Sequence, residues 1–270
     1  MFLFLLSVVL ASPPQTTIHA ESGVYGKTVS RWAEIVSSST DESTVTLIRK
    51  LQLEDKRHKN LSRDYIIWMS KGALTQEGKT IGIVWFHGHT GFSERTFKKR
   101  IVNQFKDHLD KNFFVVIPEM PWSWNTNTRT SRNGQIWKKP GEFVSFIEMV
   151  KQEVEKYGVS SIDWRVIGHS AGGSTLASVG ASGDLCLIEP SRIIWSDSSY
   201  GWWLEKATSG CLQDFVMDVH VTHHESKTSR AAARFMKSSS GKRTRVHRER
   251  LSHMLIGDRI VKLSGVLNEN

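Results

Sequence analysis

Trp164-Arg165-Val166-Ile167-Gly168-His169-Ser170-Ala171-Gly172-Gly173-Ser174-Thr175-Leu176-Ala177 is the stretch on which the reading of this chain turns. Its first residues are apolar and β-prone and read as a buried strand, while the residues from Gly173 onward are helix-prone. Between them lies G-x-S-x-G, a pattern that recurs by chance unless a strand precedes it and a helix follows, as here. A serine on a tight, strained turn stands exposed at the strand end, and the flanking glycines let neighbouring segments pass closely. An inert serine in an ordinary tight turn is the plainer alternative.

Outward from this point, short apolar runs alternate with longer amphipathic stretches. Strands are predicted at 45–53, 65–69, 81–86, 113–117, 164–167, 193–195, 216–221 and 243–246, and helices at 94–110, 141–157, 171–181, 201–210 and 227–238. In 94–110, Phe97, Ile101, Phe105 and Leu109 recur every four residues and make one apolar face; Phe143, Phe146, Ile147, Val150 and Val154 do the same in 141–157. Two opening strands without a helix, then six strands separated by helices, predict a mostly parallel central sheet of about eight strands with helices on both faces. That is one α/β domain over residues 44–270, preceded by an extension at 21–43.

The composition agrees. Of 270 residues, 39% are hydrophobic and 23% charged, a balance that excludes a disordered, collagen-like or polytopic membrane chain. The net charge of +9 favours polyanionic surroundings. Residues 2–11 form an apolar run too short to span a bilayer, followed by a polar segment with small residues at Ala11 and Ala20. This reads as a signal peptide over residues 1–20, although no Lys or Arg precedes the run, and the expected location is secreted or periplasmic. Cys186 and Cys211 are the only cysteines. They are open to either reading, a bridge or two buried thiols, and neither has a redox or zinc spacing.

In a parallel sheet, functional groups gather at the carboxyl ends of the strands. The run 83–86 leads into His87-Gly88-His89-Thr90-Gly91, where a backbone N–H of His89 can aim at a developing oxyanion. The amide of Ala171, beside Ser170, supplies the second donor, and each such donor is worth about 3 kcal/mol. His253 follows the last predicted strand and is the expected base for Ser170. Two carboxylates compete to hold its ring: Asp197, after 193–195, and Glu225, after 216–221. Asp197 lies 27 residues after Ser170 and Glu225 lies 28 before His253, so spacing does not choose.

The His-Gly turn, the G-H-S-A-G elbow, an acid and then His253 form an ordered set that resembles the α/β-hydrolase superfamily across residues 44–270. The resemblance implies the α/β-hydrolase fold and a Ser170–His253–acid triad with no metal or organic cofactor. Members usually take the acid from the strand to which Glu225 belongs, and some take it one strand earlier, where Asp197 lies. Asp197 is preferred here because aspartate is the commoner acid and Asp-Ser-Ser-Tyr-Gly resembles a turn of some secreted bacterial hydrolases. The cluster His220, His223, His224 and Glu225 lacks the H-E-x-x-H order, and a strand points His220 and His223 to opposite faces, so no metal site is expected.

Tryptophans fall after strands, at Trp122, Trp124, Trp202 and Trp203, and a polar stretch 125–140 carries Arg129, Arg132, Lys138 and Lys139. They suggest a cleft with aromatic platforms, Trp122, Trp124 and Trp202, and a basic rim at Arg129, suited to a glycan-linked or anionic substrate; the alternative is tryptophans packed beneath loops. The basic run Lys98-Lys99-Arg100 reads as a solvated helix face, and no interleaving of basic and aromatic residues points to specific nucleic-acid binding. The expectation is a secreted serine hydrolase acting on an ester or amide, with a cell-wall or polysaccharide-linked substrate as the leading class. An amidase or peptidase, or an acyltransferase, would use the same residues, and a non-catalytic anionic-glycan binder is the alternative of another kind.

Overall fold

The computed structural model describes residues 44–52, 62–88, 93–118, 122–125, 130–133, 137, 139–210, 215–238 and 243–268. The expected signal peptide and extension lie outside them. The chain opens with β1 (Thr44–Gln52), β2 (Ser62–Ser70), the single turn α1 (Lys71–Thr75) and β3 (Lys79–Phe86). Helix α2 follows as Ser93–Thr96, a π-helical turn Phe97–Ile101 and Val102–Phe105, leading to β4 (Phe113–Pro118). A hairpin, β5 (Trp122–Asn125) with β6 (Thr130–Asn133), precedes α3 (Glu142–Glu155) and β7 (Ser161–His169). Next come α4 (Gly172–Ala181), α5 (Asp184–Ile188), β8 (Arg192–Ser196) and α6 (Trp203–Thr208). The chain closes with β9 (Met217–Thr222), α7 (Lys227–Met236), β10 (Thr244–Glu249) and α8 (His253–Ser264).

Eight strands pair in the order β1-β2-β4-β3-β7-β8-β9-β10. β2 is antiparallel to both of its neighbours and every other pair is parallel. The mostly parallel sheet of about eight strands is therefore as the sequence predicts. From β3 the chain steps outward to β4, then returns to begin β7 on the other side of β3. The loops leaving β3 and β7 diverge there, and such a reversal is where a crevice opens at the carboxyl ends of the strands.

Both faces of the sheet are covered, and the strand period of two sorts the side chains. From β3 and β4, Ile83, Trp85, Phe113 and Val115 join the layer beneath α2 and α8, with Phe97, Ile101, Ile256 and Ile260. Val84, Phe86, Phe114 and Val116 face the opposite way, onto Phe143, Phe146, Ile147 and Leu176 of α3 and α4. Three short elements were not expected from sequence. The five-residue helices α1 and α5 are too short for periodicity to mark, and the β5–β6 hairpin runs from Trp122 into the polar stretch 125–140. Trp137, at the end of that stretch, is buried and stacks on Phe146 at 5.0 Å.

Helix α3 begins at a cap supplied from afar. The buried carboxylate of Asp184 accepts the amides of Gly141 (2.7 Å), Phe143 (2.7 Å) and Val144 (3.3 Å). These are amides that a helix start leaves without intrahelical partners. Cys186, on α5, is disulfide-bonded, and Cys211 lies outside the described residues. Asp184→Ala is expected to cost about 2–4 kcal/mol, since it removes the cap and strands buried donors. Asp184→Asn should cost less; a urea denaturation series on both variants checks the order.

Candidate active site

Ser170 sits at the turn between β7 and α4 with φ of 52°, the left-handed region that a serine enters only under strain. Its surroundings leave the turn no room for larger residues. A Cβ on Gly172 would run into the carbonyl oxygen of Phe86, at the end of β3, and one on Gly173 into that of Ser198. A Cβ on Gly88 would sit 3.0 Å from that of Ser170, so the His-Gly turn abuts the serine directly. The Ser170 amide donates to the Ser196 carbonyl at 3.2 Å, which ties the elbow to the end of β8. The close approach at Gly172 accounts for the second glycine of the motif, and at the first, Gly168, a Cβ would press on Leu176 of α4 at 3.2 Å.

Asp197, just past β8, also has positive φ, 44°, and its amide donates to His220 O on β9 at 2.7 Å. His253 is the first residue of α8, whose N-cap Ser252 accepts from the Leu255 amide at 3.4 Å. The structure brings the three side chains into one line. His253 Nδ1 lies 2.7 Å from Asp197 Oδ2, and His253 Nε2 lies 2.9 Å from Ser170 Oγ. A carboxylate can only accept, so Nδ1 carries the proton and Nε2 is left to accept from the serine hydroxyl. The other Asp197 oxygen accepts from Thr228 Oγ1 at the start of α7. Glu225 is in another place: its side chain is 78% exposed and pairs with Arg230 at 3.3 Å, so of the two carboxylates it is Asp197 that reaches His253.

Three more side chains frame this line. His169 is buried, its ring stacked on His253 at 5.1 Å, and its Nδ1–H donates to Ser196 O at 3.0 Å. Burial and the nearby Arg100 charge push its pKa well below the ordinary value, so it stays neutral under His253. Burial likewise takes His87 down to about 4. Tyr200 lies beside this line, edge-on to His253 at 6.5 Å, and burial with the neighbouring Asp197 raises its phenol pKa, so its proton is retained. Sequence reasoning missed Tyr200, His169 and Thr228; the only trace was Tyr200 in the quoted Asp-Ser-Ser-Tyr-Gly turn.

The remaining expected site residues fall as follows. Ala171 is the N-cap of α4, beside Ser170. His89 and Arg129 lie outside the described residues, and Trp122 and Trp124 lie on β5. Trp202 does not line the cleft at Ser170. It is 66% exposed, and the Arg234 guanidinium covers its ring at 3.7 Å because α7 packs beside α6. His220 bonds Glu249 at 2.9 Å and stacks on His247, while His223 and His224 are exposed. Among the described residues no three His, Cys, Asp or Glu converge to hold a metal ion. The cleft at Ser170 has a volume of about 650 Å³, and its opposite wall is the basic run of α2, which the sequence suggested was only a solvated face.

No protein-family model matches the chain, and no curated protein matches it in sequence. Solved structures do match in shape. The chain is similar to an IroE-like serine hydrolase from Shewanella oneidensis, with a TM-score of 0.52 and 14% identity over 82% of this chain and 79% of that one. It is also similar to an α/β serine hydrolase without a lid from Xanthomonas campestris, with a TM-score of 0.52 and 13% identity over 82% and 91% of the two chains. A ferulic acid esterase gives a TM-score of 0.53 at 10% identity, covering 82% of this chain and 96% of its own. Together with the sheet order, these likenesses define the fold: it is the α/β-hydrolase fold.

The buried histidines set an acid limit on stability. His87 titrates near 6.5 when unfolded and near 4 in the fold, so between those values the unfolded chain binds more protons. Stability is then lost as pH falls through that window, by up to about 1.4 kcal/mol per unit. His87→Gln should flatten this slope, as read from urea midpoints measured between pH 7 and pH 4.

Proposed function

We propose that the protein is a serine hydrolase that cleaves an ester through a Ser170–His253–Asp197 triad. The observation that carries the reading is the unbroken hydrogen-bond line from Asp197 through both nitrogens of His253 to Ser170 on a strained turn. His253 Nε2 takes the hydroxyl proton as Ser170 Oγ attacks the ester carbonyl, and Asp197 stabilises the imidazolium that forms. The oxyanion is stabilised at the amino end of α4, where the Ala171 amide supplies one donor; the second donor expected from the sequence, the His89 amide, lies outside the described residues. His253 returns its proton to the departing alcohol. Water then enters and attacks the acyl carbon while giving a proton to His253, which passes it to Ser170 Oγ as the acid is released.

An ester is favoured over an amide because a structure of this shape is described as a ferulic acid esterase. Secretion is supported by the apolar run 2–11 and by the oxidised Cys186, which belongs to a disulfide-permitting compartment. A cell-wall or polysaccharide-linked ester suits such a location and the net charge of +9.

Hydrolysis of 4-nitrophenyl acetate by wild type and variants tests the assignment. Ser170→Ala and His253→Ala should abolish turnover, and Asp197→Asn should lower kcat by about 10⁴-fold by allowing the wrong tautomer. Glu225→Gln should leave the rate at the wild-type level. A large loss in Glu225→Gln with none in Asp197→Asn would reverse the assignment of the acid.

A further inference from the structure

We propose that the cleft beside Ser170 selects esters that carry a negative charge, met by Arg95 and Lys99 of α2 with Arg100 behind them. The proposal rests on the hydrolase reading above and adds the class of substrate.

The cleft runs between Ser170 and His253 on one side and α2 on the other. Among the described residues four cations line it, Arg95, Lys98, Lys99 and Arg100, against a single carboxylate, Asp258. That carboxylate is already engaged, with Asp258 Oδ1 3.0 Å from Arg100 Nε. Among the described residues neither Arg95 nor Lys99 forms an ion pair, and both are exposed to the cleft. The charge that remains to be matched is therefore on the substrate's side of the cleft.

The wall is built to hold this position. Phe97 and Ile101 are buried in the layer beneath α2, and the turn between them is π-helical, a local widening often found at functional sites. Gln104 ties the helix to α8 twice, donating to Gly257 O at 3.0 Å and accepting from the Val261 amide at 3.1 Å. The cations and His253 thus ride on two helices fixed to each other, so little ordering is left for binding to do. Arg100 is the inner member. Its side chain is only 13% exposed, and burial and Arg95 both lower its pKa, a like-charge strain that a bound anion relieves. Guanidinium and ammonium groups side by side suit a carboxylate, phosphate or sulfate oxygen.

The charge could sit on the acyl half or on the alcohol half, and two matched pairs of esters separate these. The acyl pair is mono-4-nitrophenyl adipate and its methyl ester; the alcohol pair is 4-acetoxybenzoate and its methyl ester. In at least one pair, wild type should favour the charged member in kcat/KM by about tenfold or more, with the preference shrinking as salt rises. Arg95→Gln/Lys99→Gln should bring that ratio towards one. Equal rates on both members of both pairs, or a preference that survives the double substitution, would overturn the charge selection and leave the hydrolase reading standing. Failure to cleave any of the four esters would overturn both.

Discussion

The left-handed turn at Ser170 is the constraint around which the rest of the site is arranged. Holding a serine there costs about 1–3 kcal/mol, and such a conformation persists only where its surroundings over-determine it. Here the turn is wedged between the ends of β3 and β8. Gly172 lies on the Phe86 carbonyl of β3, Gly173 on the Ser198 carbonyl, and the Ser170 amide is taken by Ser196 of β8. Asp197 is held in the same unusual conformation one step further along, pinned by its amide to β9. The two strained residues are the proposed nucleophile and acid, and a sheet buried on both faces holds them.

The third member arrives differently, on a helix whose two ends are both anchored. Ser252 caps the start of α8, at His253. At its far end, Arg192 donates to the carbonyls of Ser264 (2.7 Å) and Gly265 (3.0 Å), and Arg165 reaches Val266 and Asn268 just beyond. Cations there satisfy carbonyls that a helix end leaves without partners and complement its dipole. Both arginines rise from β7 and β8, the strands that lead to Ser170 and Asp197. The same pair of strands that sets the Ser170 turn and Asp197 therefore also sets the height of His253. Gln104 then couples α8 to α2, so the cationic wall moves with the histidine.

Much of this was legible in the sequence, because burial on both faces writes each strand as an apolar run and each helix as a four-residue recurrence. The eight strands and the long helices emerge from that alone, and the glycine spacing locates the elbow. What was not legible depends on contacts between distant segments. Asp197 and Glu225 both follow strands, and only the packing of α7 and α8 decides which one reaches His253. Asp184 caps α3 from 40 to 43 residues away, and no local pattern announces it. Trp202 looked like a platform because it follows a strand, but Arg234, from the next helix but one strand, covers it. The run Lys98-Lys99-Arg100 shows its charge in the sequence but not its direction. That direction follows from the outward step of β4, which brings α2 over to the side of α8.

The central claim is that Ser170 is an activated nucleophile. The most direct measurement is reaction of the folded protein with a fluorophosphonate, followed by peptide mapping of the adduct by mass spectrometry. The account predicts a single stoichiometric adduct on Ser170 that is lost in His253→Ala. No adduct on folded wild type, or one on a different residue, would contradict it.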